Sequence, residues 1–437
     1  MGTETVITFG CRLNAYESEV IKSLIKKADL HNVVVFNTCC VTDEAERQAV
    51  QAIRRYKRKN PESTIIVTGC AVQINPRKYL EMPEVDRVLN NKEKLLAKSY
   101  KDELKEDMPP LHCFENKTRA LLPIQNGCNN RCTFCIIPYA RGPSKSTPIE
   151  QLIEQVKLFA NQGYKEIVLT GINITSYGKD LNDGLSLGQA IQKILSHTPA
   201  LARLRLSSID VADIDDTLLE LILNEKRFMP HLHLSLQSGD NETLRKMKRR
   251  HTREQAREFC QIVRASRPDI AFGADIITGF PGETEEQFTN TCALIEEIKI
   301  PYLHVFPYSE RYNTPAARMP QLDKGVRKDR AKVLRAIGQA NLDAFSKSYV
   351  GKQEELLLEK NGTGRLENFL KVTLLDPRLN SARREERCLL QVGEGRVTQQ
   401  YSKMESSMIS KNLKAGELIR VKITAYKNGN LIGELIK

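Results

Sequence analysis

The stretch Asn126-Gly-Cys-Asn-Asn-Arg-Cys-Thr-Phe-Cys-Ile-Ile137 sets Cys128, Cys132 and Cys135 in a C-x3-C-x2-C spacing. It follows directly on a strand-like run, Leu121–Gln125, so the three cysteines fall in a loop at a strand's carboxyl edge, where α/β folds hold their ligands. Three thiolates this close each take one iron of a four-iron cubane and leave the fourth iron open to a substrate. Structural zinc is the competing reading, but it calls for two Cys or Cys/His pairs, and this loop holds no fourth ligand.

Leu121–Gln125 opens a six-fold alternation of strand and helix. The further strand candidates are Glu166–Thr170, Arg203–Ser207, Leu232–Leu236, Phe272–Thr278 and Leu303–Pro307, with helical patterns such as Pro148–Asn161 and Glu283–Ile298 between them. Right-handed βαβ units fit these spacings. Six units are two short of a closed eight-unit barrel, so residues 118–345 are expected to form an open, partial (βα)6 barrel.

Upstream, residues 1–110 carry strand-like runs at Val6–Phe9, Val33–Phe36 and Ile65–Thr68, with helical stretches at Tyr16–Lys27 and Glu44–Arg58. That alternation predicts an α/β unit on a parallel sheet. The charged stretch Lys92–Asp107, followed by Pro109-Pro110, reads as a surface linker. Downstream, residues 347–437 hold short strand-like runs at Leu356–Leu358, Phe369–Leu375, Leu389–Val392 and Leu418–Ala425. Lys427-Asn-Gly-Asn430 suits a hairpin, because Asn and Gly tolerate positive φ. This last block has 17 Lys and Arg against 11 Asp and Glu, so a small basic β-barrel is expected, with a ligand-free β appendage as the alternative.

The whole chain has 437 residues, 41% hydrophobic and 27% charged, which excludes a disulfide miniprotein or a disordered tail. Its formal net charge of +12 favours a polyanionic partner, nucleic acid before membrane. Tryptophan is absent and aromatics are 6%, which speaks against a broad base-stacking platform. No run reaches the roughly 18 apolar residues of a bilayer span, and Met1-Gly-Thr-Glu4 does not open a signal peptide. Eleven cysteines, an odd number, point to a reducing compartment, so a cytoplasmic protein is expected.

Three more cysteines repeat the strand-end position. Cys11 follows Val6–Gly10, Cys39 follows Val33–Thr38 and Cys70 follows Ile65–Gly69. Residues so placed converge above one parallel sheet, and a second cubane with an open iron would result; three buried structural thiols are the alternative. Cys40 would face away from Cys39 if its strand continued, so it is set aside as a ligand. Cys113, Cys260, Cys292 and Cys388 have no partner at a telling spacing.

With both triads in view, the chain resembles the radical S-adenosylmethionine methylthiotransferases. Phe9-Gly-Cys-Arg-Leu-Asn-Ala-Tyr-Glu-Ser-Glu19, Asn37-Thr-Cys-Cys-Val-Thr42 and Val67-Thr-Gly-Cys-Ala-Val-Gln73 are similar to the family's amino-terminal cluster motifs. The basic third block resembles the TRAM domain, a β-barrel associated with RNA. Gly10-Cys-Arg-Leu-Asn14, Cys128–Gly142, Leu169–Ile172 and His304-Val-Phe-Pro-Tyr-Ser309 resemble the branch acting on N6-threonylcarbamoyladenosine in tRNA. The isopentenyladenosine branch usually reads Gly-Cys-Gln-Met-Asn, and the ribosomal-protein branch Gly-Cys-Pro-Lys-Asn. Two departures stand out. Arg311-Tyr-Asn-Thr-Pro315 replaces the usual Arg-Thr-Gly-Thr-Pro, a change that bears on the substrate pocket, and Lys26–Asn32 is short for the family.

The resemblance implies two [4Fe-4S] clusters and S-adenosyl-L-methionine as cofactors. The cluster on Cys128, Cys132 and Cys135 would cleave S-adenosylmethionine to methionine and a 5′-deoxyadenosyl radical, and the one on Cys11, Cys39 and Cys70 would carry the sulfur. The product would be the 2-methylthio form of N6-threonylcarbamoyladenosine at tRNA position 37. An aromatic C–H of this kind offers no acidic proton to ordinary acid–base chemistry, which agrees with radical activation. Phe134, Thr170, Gly171, Ser208 and Gln237 would contact the cofactor, with Ser207, Ser238 and Gly239 on the same face; helix capping or loop packing is the alternative for each. No catalytic residue is assigned beyond the cluster ligands. Gly279-Phe-Pro-Gly-Glu283 lacks the Lys-Ser/Thr of a phosphate loop and reads as a turn into a helix. Arg245–Arg253 is a dense basic run, either a solvated face or a phosphate contact, and Tyr139 and Arg141 are placed to meet substrate. The expected partners are tRNA, a sulfur donor and a low-potential electron donor, with no membrane and a monomeric chain. The rivals are action on isopentenyladenosine or on a ribosomal-protein aspartate, and, from another class, a non-catalytic zinc-containing RNA-binding protein.

Overall fold

The computed structural model describes residues 5–101, 114, 117–375 and 413–436. Strand β1 (Thr5–Thr8), β2 (Val33–Thr38), β3 (Thr64–Gly69) and β4 (Arg87–Val88) form a parallel sheet in that order. All six residues of β2 are buried, which is why it reads as the continuous run Val-Val-Val-Phe rather than an alternation. Helices α1 (Arg12–Lys27) and α2 (Asp43–Lys59) make the crossovers, and two short helices follow β3, α3 (Cys70–Ile74) and α4 (Pro76–Leu80). The Thr42 side chain caps α2 by accepting from the Ala45 N–H, and Asp43, Glu44 and Glu46 complement the helix dipole. Helix α1 begins four residues before the predicted start at Tyr16. Its first turns bury polar Asn14, Glu17 and Ser18, so no apolar periodicity marks them.

The second unit begins with β5 (Ala120–Pro123), the antiparallel pair β6 (Gln125–Asn126) and β7 (Lys145–Ser146), and helix α5 (Ile137–Arg141) between them. It continues through β8 (Glu166–Thr170), β9 (Arg203–Leu206), β10 (Ser208–Ile209), β11 (His231–Gln237), β12 (Ala271–Thr278) and β13 (Tyr302–Pro307). The strands run parallel as β5-β8-β9 and then β10-β11-β12-β13. Ser207, expected inside the third strand, falls at the break between the two halves. In β11, Leu232, Leu234 and Leu236 are fully buried in the outer core, which turns His231, His233, Ser235 and Gln237 to the inner side of the curve. Val20, Ile21 and Leu24 of α1 share that core with Leu122 of β5, so the first unit packs on the edge strand of the open barrel.

A closed barrel of order β14-β15-β16-β18-β17 ends the chain: β14 (Gln353–Leu358), β15 (Thr363–Leu366), β16 (Lys371–Leu374), β17 (Leu418–Lys427) and β18 (Asn430–Leu435). Asn428 and Gly429 both take positive φ in the β17–β18 turn, the geometry that matches strand twist. The expected strand at Leu389–Val392 lies outside the described residues, as do Cys113 and Cys388. This barrel closes the amino end of the larger one. Arg203 donates to Glu355 at 2.9 Å, Arg119 to Glu359 at 2.5 Å, and Arg205 to the Glu367 carbonyl at 2.8 Å.

One expectation needs correction. Residues 92–100, read as the start of a surface linker, fold into two short turns whose Ala97 and Tyr100 join the main core. Lys94 is fully buried and donates to Glu17 at 2.7 Å and to Asn37 at 3.2 Å. A buried ammonium is tolerable only beside such a partner, and Glu17 lies 77 residues away, beyond any local pattern. Among the described residues, no helix is long and apolar enough to cross a membrane.

Candidate active site

Cys128, Cys132 and Cys135 lie in the loop between β6 and α5, pinned by backbone bonds from Cys128 N–H to the Gly142 carbonyl and from Cys135 N–H to the Cys132 carbonyl, both 3.1 Å. Gly127 enters this loop at φ +72°, where an added Cβ would sit 1.9 Å from the Pro143 carbonyl oxygen, so only glycine fits. Gln125, not singled out from sequence, ties the loop to its neighbour. Its amide donates to the Gly127 carbonyl at 2.7 Å, and its oxygen accepts from Ile172 and Asn173 N–H at 3.1 and 2.9 Å. Gly171, in the turn after β8, packs so closely that a Cβ would meet the Gln125 carbonyl at 2.5 Å. Burial pushes the Cys135 thiol up to about 12 and raises Cys128 as well.

The basic run splits in the structure. Arg245 pairs with Glu242 and Arg250 with Asp213 toward solvent, but Arg249 turns inward. It approaches the Cys132 sulfur at 3.6 Å and is held by Asp210 at 3.0 Å and the Ser235 carbonyl at 2.7 Å. Phe134 packs against Met247, Phe280, Tyr308 and Ala316. Thr170 is buried at the end of β8, and the Ser208 hydroxyl lies 2.9 Å from His233 Nδ1. Gln237 ends β11 at φ +69°, a left-handed backbone unusual for a residue other than glycine. Gly279-Phe-Pro-Gly-Glu283 is a turn before the helix Glu285–Glu297, as expected.

The second triad occupies the carboxyl edge of the first sheet. Cys11 caps α1 after β1, Cys39 follows β2, and Cys70 opens α3 after β3. Gly10 and Gly69 take φ +92° and +102°; a Cβ on Gly10 would meet the Cys39 sulfur at 2.8 Å, and one on Gly69 the Thr38 backbone at 2.4 Å. Burial pushes Cys39 up to about 11. Cys40 does not turn away, because β2 ends at Thr38. Its thiol is buried in one core with Cys70, and its proximity together with the Arg141 charge lowers Cys70 against the effect of burial.

Arg141, expected at the substrate, is instead a buried tie between the triads. Its Nε donates to the Cys70 sulfur at 3.1 Å, and its other nitrogens bind Glu17 and Asn14. It ends α5, which starts two residues after Cys135. Ile136, just before that helix, and Ala140, within it, pack in one core with Cys40 and Cys70. Asn91 donates to the Ala140 carbonyl at 2.9 Å and reaches the Cys70 sulfur at 3.9 Å. Arg311 binds Asp43 and Glu46 of α2, Tyr312 is 80% exposed, and Asn313 takes φ +65°. Asn is the side chain that best tolerates the backbone of the glycine it replaces, so the departure at 311–315 leaves the turn intact.

Three cysteines at each site can hold three irons of a four-iron cubane and leave the fourth without a protein ligand. Among the described residues, His233, Asp275 and His304, on the inner side of β11, β12 and β13, are spaced to share a single ion. Burial raises Asp275 to about 6 and, with the charges of His304 and Arg12, lowers His233 to about 3.

Comparison with known proteins agrees with this arrangement. Residues 122–295 match the Radical SAM superfamily model, and residues 3–90 match Uncharacterized protein family UPF0004. The threonylcarbamoyladenosine tRNA methylthiotransferase MtaB of Rickettsia prowazekii is 51% identical over 85% of this chain and 91% of that protein. The protein of the same description from Bacillus subtilis is 37% identical, over 82% and 84%. Among solved structures, the radical S-adenosylmethionine methyltransferase TsrM from Kitasatospora setae superposes with a TM-score of 0.51, over 72% of this chain and 77% of that one, at 14% identity, a likeness of fold alone. The chain belongs to the family of radical S-adenosylmethionine tRNA methylthiotransferases that these MtaB relatives represent.

Proposed function

We propose that this protein is a tRNA methylthiotransferase that converts N6-threonylcarbamoyladenosine at position 37 to its 2-methylthio derivative. The observation that carries the reading is the pair of cysteine triads joined through α5, one at the carboxyl edge of the open barrel and one at that of the first sheet. In this reading residues 1–110 hold the sulfur-carrying site on Cys11, Cys39 and Cys70, residues 118–345 hold the S-adenosylmethionine site on Cys128, Cys132 and Cys135, and residues 347–437 are a TRAM-like RNA-binding barrel. Two four-iron clusters with S-adenosylmethionine, when bound, supply one-electron cleavage of a sulfonium and a transferable methylthio group.

The chain's own residues position and shield. Arg249 and Arg141 each present a guanidinium to one cysteine sulfur, Cys132 and Cys70, and at Cys70 the Arg141 charge favours the thiolate against burial. Gln125 holds the Gly171 turn against the cluster loop, and Thr170, Gly171, Ser208, Gln237 and Phe134 line the strand ends where the methionine and adenine parts of S-adenosylmethionine belong. A sulfur donor and a low-potential electron donor complete the partners, and the chain acts as a cytoplasmic monomer. Nucleosides from tRNA of a strain lacking the native activity, with and without this chain, test the reading by mass spectrometry. The 2-methylthio derivative of N6-threonylcarbamoyladenosine is expected; 2-methylthio isopentenyladenosine in its place would refute the substrate assignment.

A further inference from the structure

A cavity of about 430 Å³ lies where α1, the open barrel and the carboxyl-terminal barrel meet, lined by Arg12, Arg119, Leu121, Val168, Glu359 and Phe369 among others. Leu121 and Val168 are register partners on β5 and β8, and Thr170 lies two residues beyond Val168 on the same face. The cavity therefore sits one strand repeat beneath the edge that carries the S-adenosylmethionine site. Arg12 enters it directly from Cys11, so the same turn that presents a sulfur of the first triad also presents this guanidinium.

The charges in this part of the molecule are unevenly paired. Glu166 has no exposed surface, and its oxygens are taken by Arg119 at 2.8 Å and Arg205 at 2.8 and 3.3 Å. Glu359 is held by Arg119 and Glu355 by Arg203. Among the described residues, Arg12 makes no hydrogen bond or ion pair, the oxygens of Glu166 being taken by Arg119 and Arg205. With the Glu359 carboxylate of the same cavity held by Arg119, the Arg12 guanidinium at its wall is left without a hydrogen-bonded anion. Its planar fork of donors matches a carboxylate bidentately.

We propose that Arg12 binds the carboxylate of the threonylcarbamoyl side chain and that this cavity is the subsite that selects the substrate. The inference rests on the proposed function. Adenosine and isopentenyladenosine carry no carboxylate, so neither gains from Arg12. A bound threonyl carboxylate supplies the counter-charge that the folded chain lacks, and the modified base is drawn toward the strand edge above it.

The test is binding of anticodon stem-loop RNA to the full chain, isolated anaerobically with its clusters. Three RNAs are compared: one bearing N6-threonylcarbamoyladenosine, one bearing its carboxamide analogue, and one bearing plain adenosine. Wild type is expected to prefer the carboxylate RNA by roughly 10- to 100-fold, the range for a charge-assisted contact. In Arg12→Gln that preference disappears while iron content and melting temperature hold, and Arg12→Lys keeps part of it. If wild type shows the preference and Arg12→Gln retains it, the role of Arg12 is overturned and the function stands. If wild type does not prefer the carboxylate RNA over adenosine, the substrate reading itself fails and the inference fails with it.

Discussion

Arg141 shows how much of this site depends on single side chains with distant partners. Its guanidinium is buried between the Glu17 carboxylate, the Asn14 amide and the Cys70 sulfur, and Lys94 supports Glu17 from the other side. Arg141→Met leaves Glu17 with one cation and Cys70 without its charged donor, and it is expected to cost about 3–5 kcal/mol, read as a lowered melting temperature. Arg141→Lys should not restore it, because an ammonium does not reach three separate acceptors in one plane. Cys40→Ala makes a sharper test of ligand assignment. Its thiol packs in one core with Cys70 but is not one of the three strand-end positions, so iron per chain should match wild type. Loss of about half the iron would make Cys40 a ligand. The shared loop of Cys128, Cys132 and Cys135 was legible in the sequence because the three cysteines fall within eight residues. Arg141 was not, since Glu17 and Asn14 lie 124 and 127 residues from it, and position after a cluster loop suggested the substrate instead.

At the scale of elements, strands of the open barrel were readable from apolar runs and spacing, and β8 matches its expected range residue for residue. What apolar patterning does not reveal is the charged inner side of that same sheet. Glu166, Arg203 and Arg205 begin β8 and lie on β9, where single-residue hydropathy argues for solvent, yet all three are buried at the junction with the small barrel. They are tolerated because their charges satisfy one another and the backbone of the next unit. Burial alone would raise the Glu166 carboxyl, but Arg205 and Arg119 hold it down at about 2, against 4.5 when free. A carboxylate lowered by folding contributes stability above its free value, and this is lost as pH falls from about 4.5 toward 2. Glu166→Gln is therefore expected to lower the melting temperature near neutral pH, at a cost of about 3–5 kcal/mol, with the gap to wild type closing over that acidic range. A gap that is the same at pH 3 and pH 7 would mean the cost is steric rather than ionic. Loop departures follow similar reasoning: Asn313 keeps a left-handed turn that the motif elsewhere gives to glycine, so Tyr312 changes the surface and not the path of the chain.

Over the whole molecule, three units place two thiolate sites side by side and a small barrel beneath them. The junctions between units are ionic where they face the barrel interior and apolar where α1 covers β5, so the units are held in one arrangement by contacts that no single unit contains. In the proposed function the labour is divided between the triads, with one site to cleave S-adenosylmethionine and the other to deliver sulfur. An anaerobic reaction with tRNA carrying N6-threonylcarbamoyladenosine, in which 5′-deoxyadenosine and the 2-methylthio nucleoside are quantified together, tests this division most directly. Wild type should form both, Cys39→Ala only 5′-deoxyadenosine, and Cys128→Ala neither. A 2-methylthio product from Cys39→Ala, or 5′-deoxyadenosine from Cys128→Ala, would contradict the account.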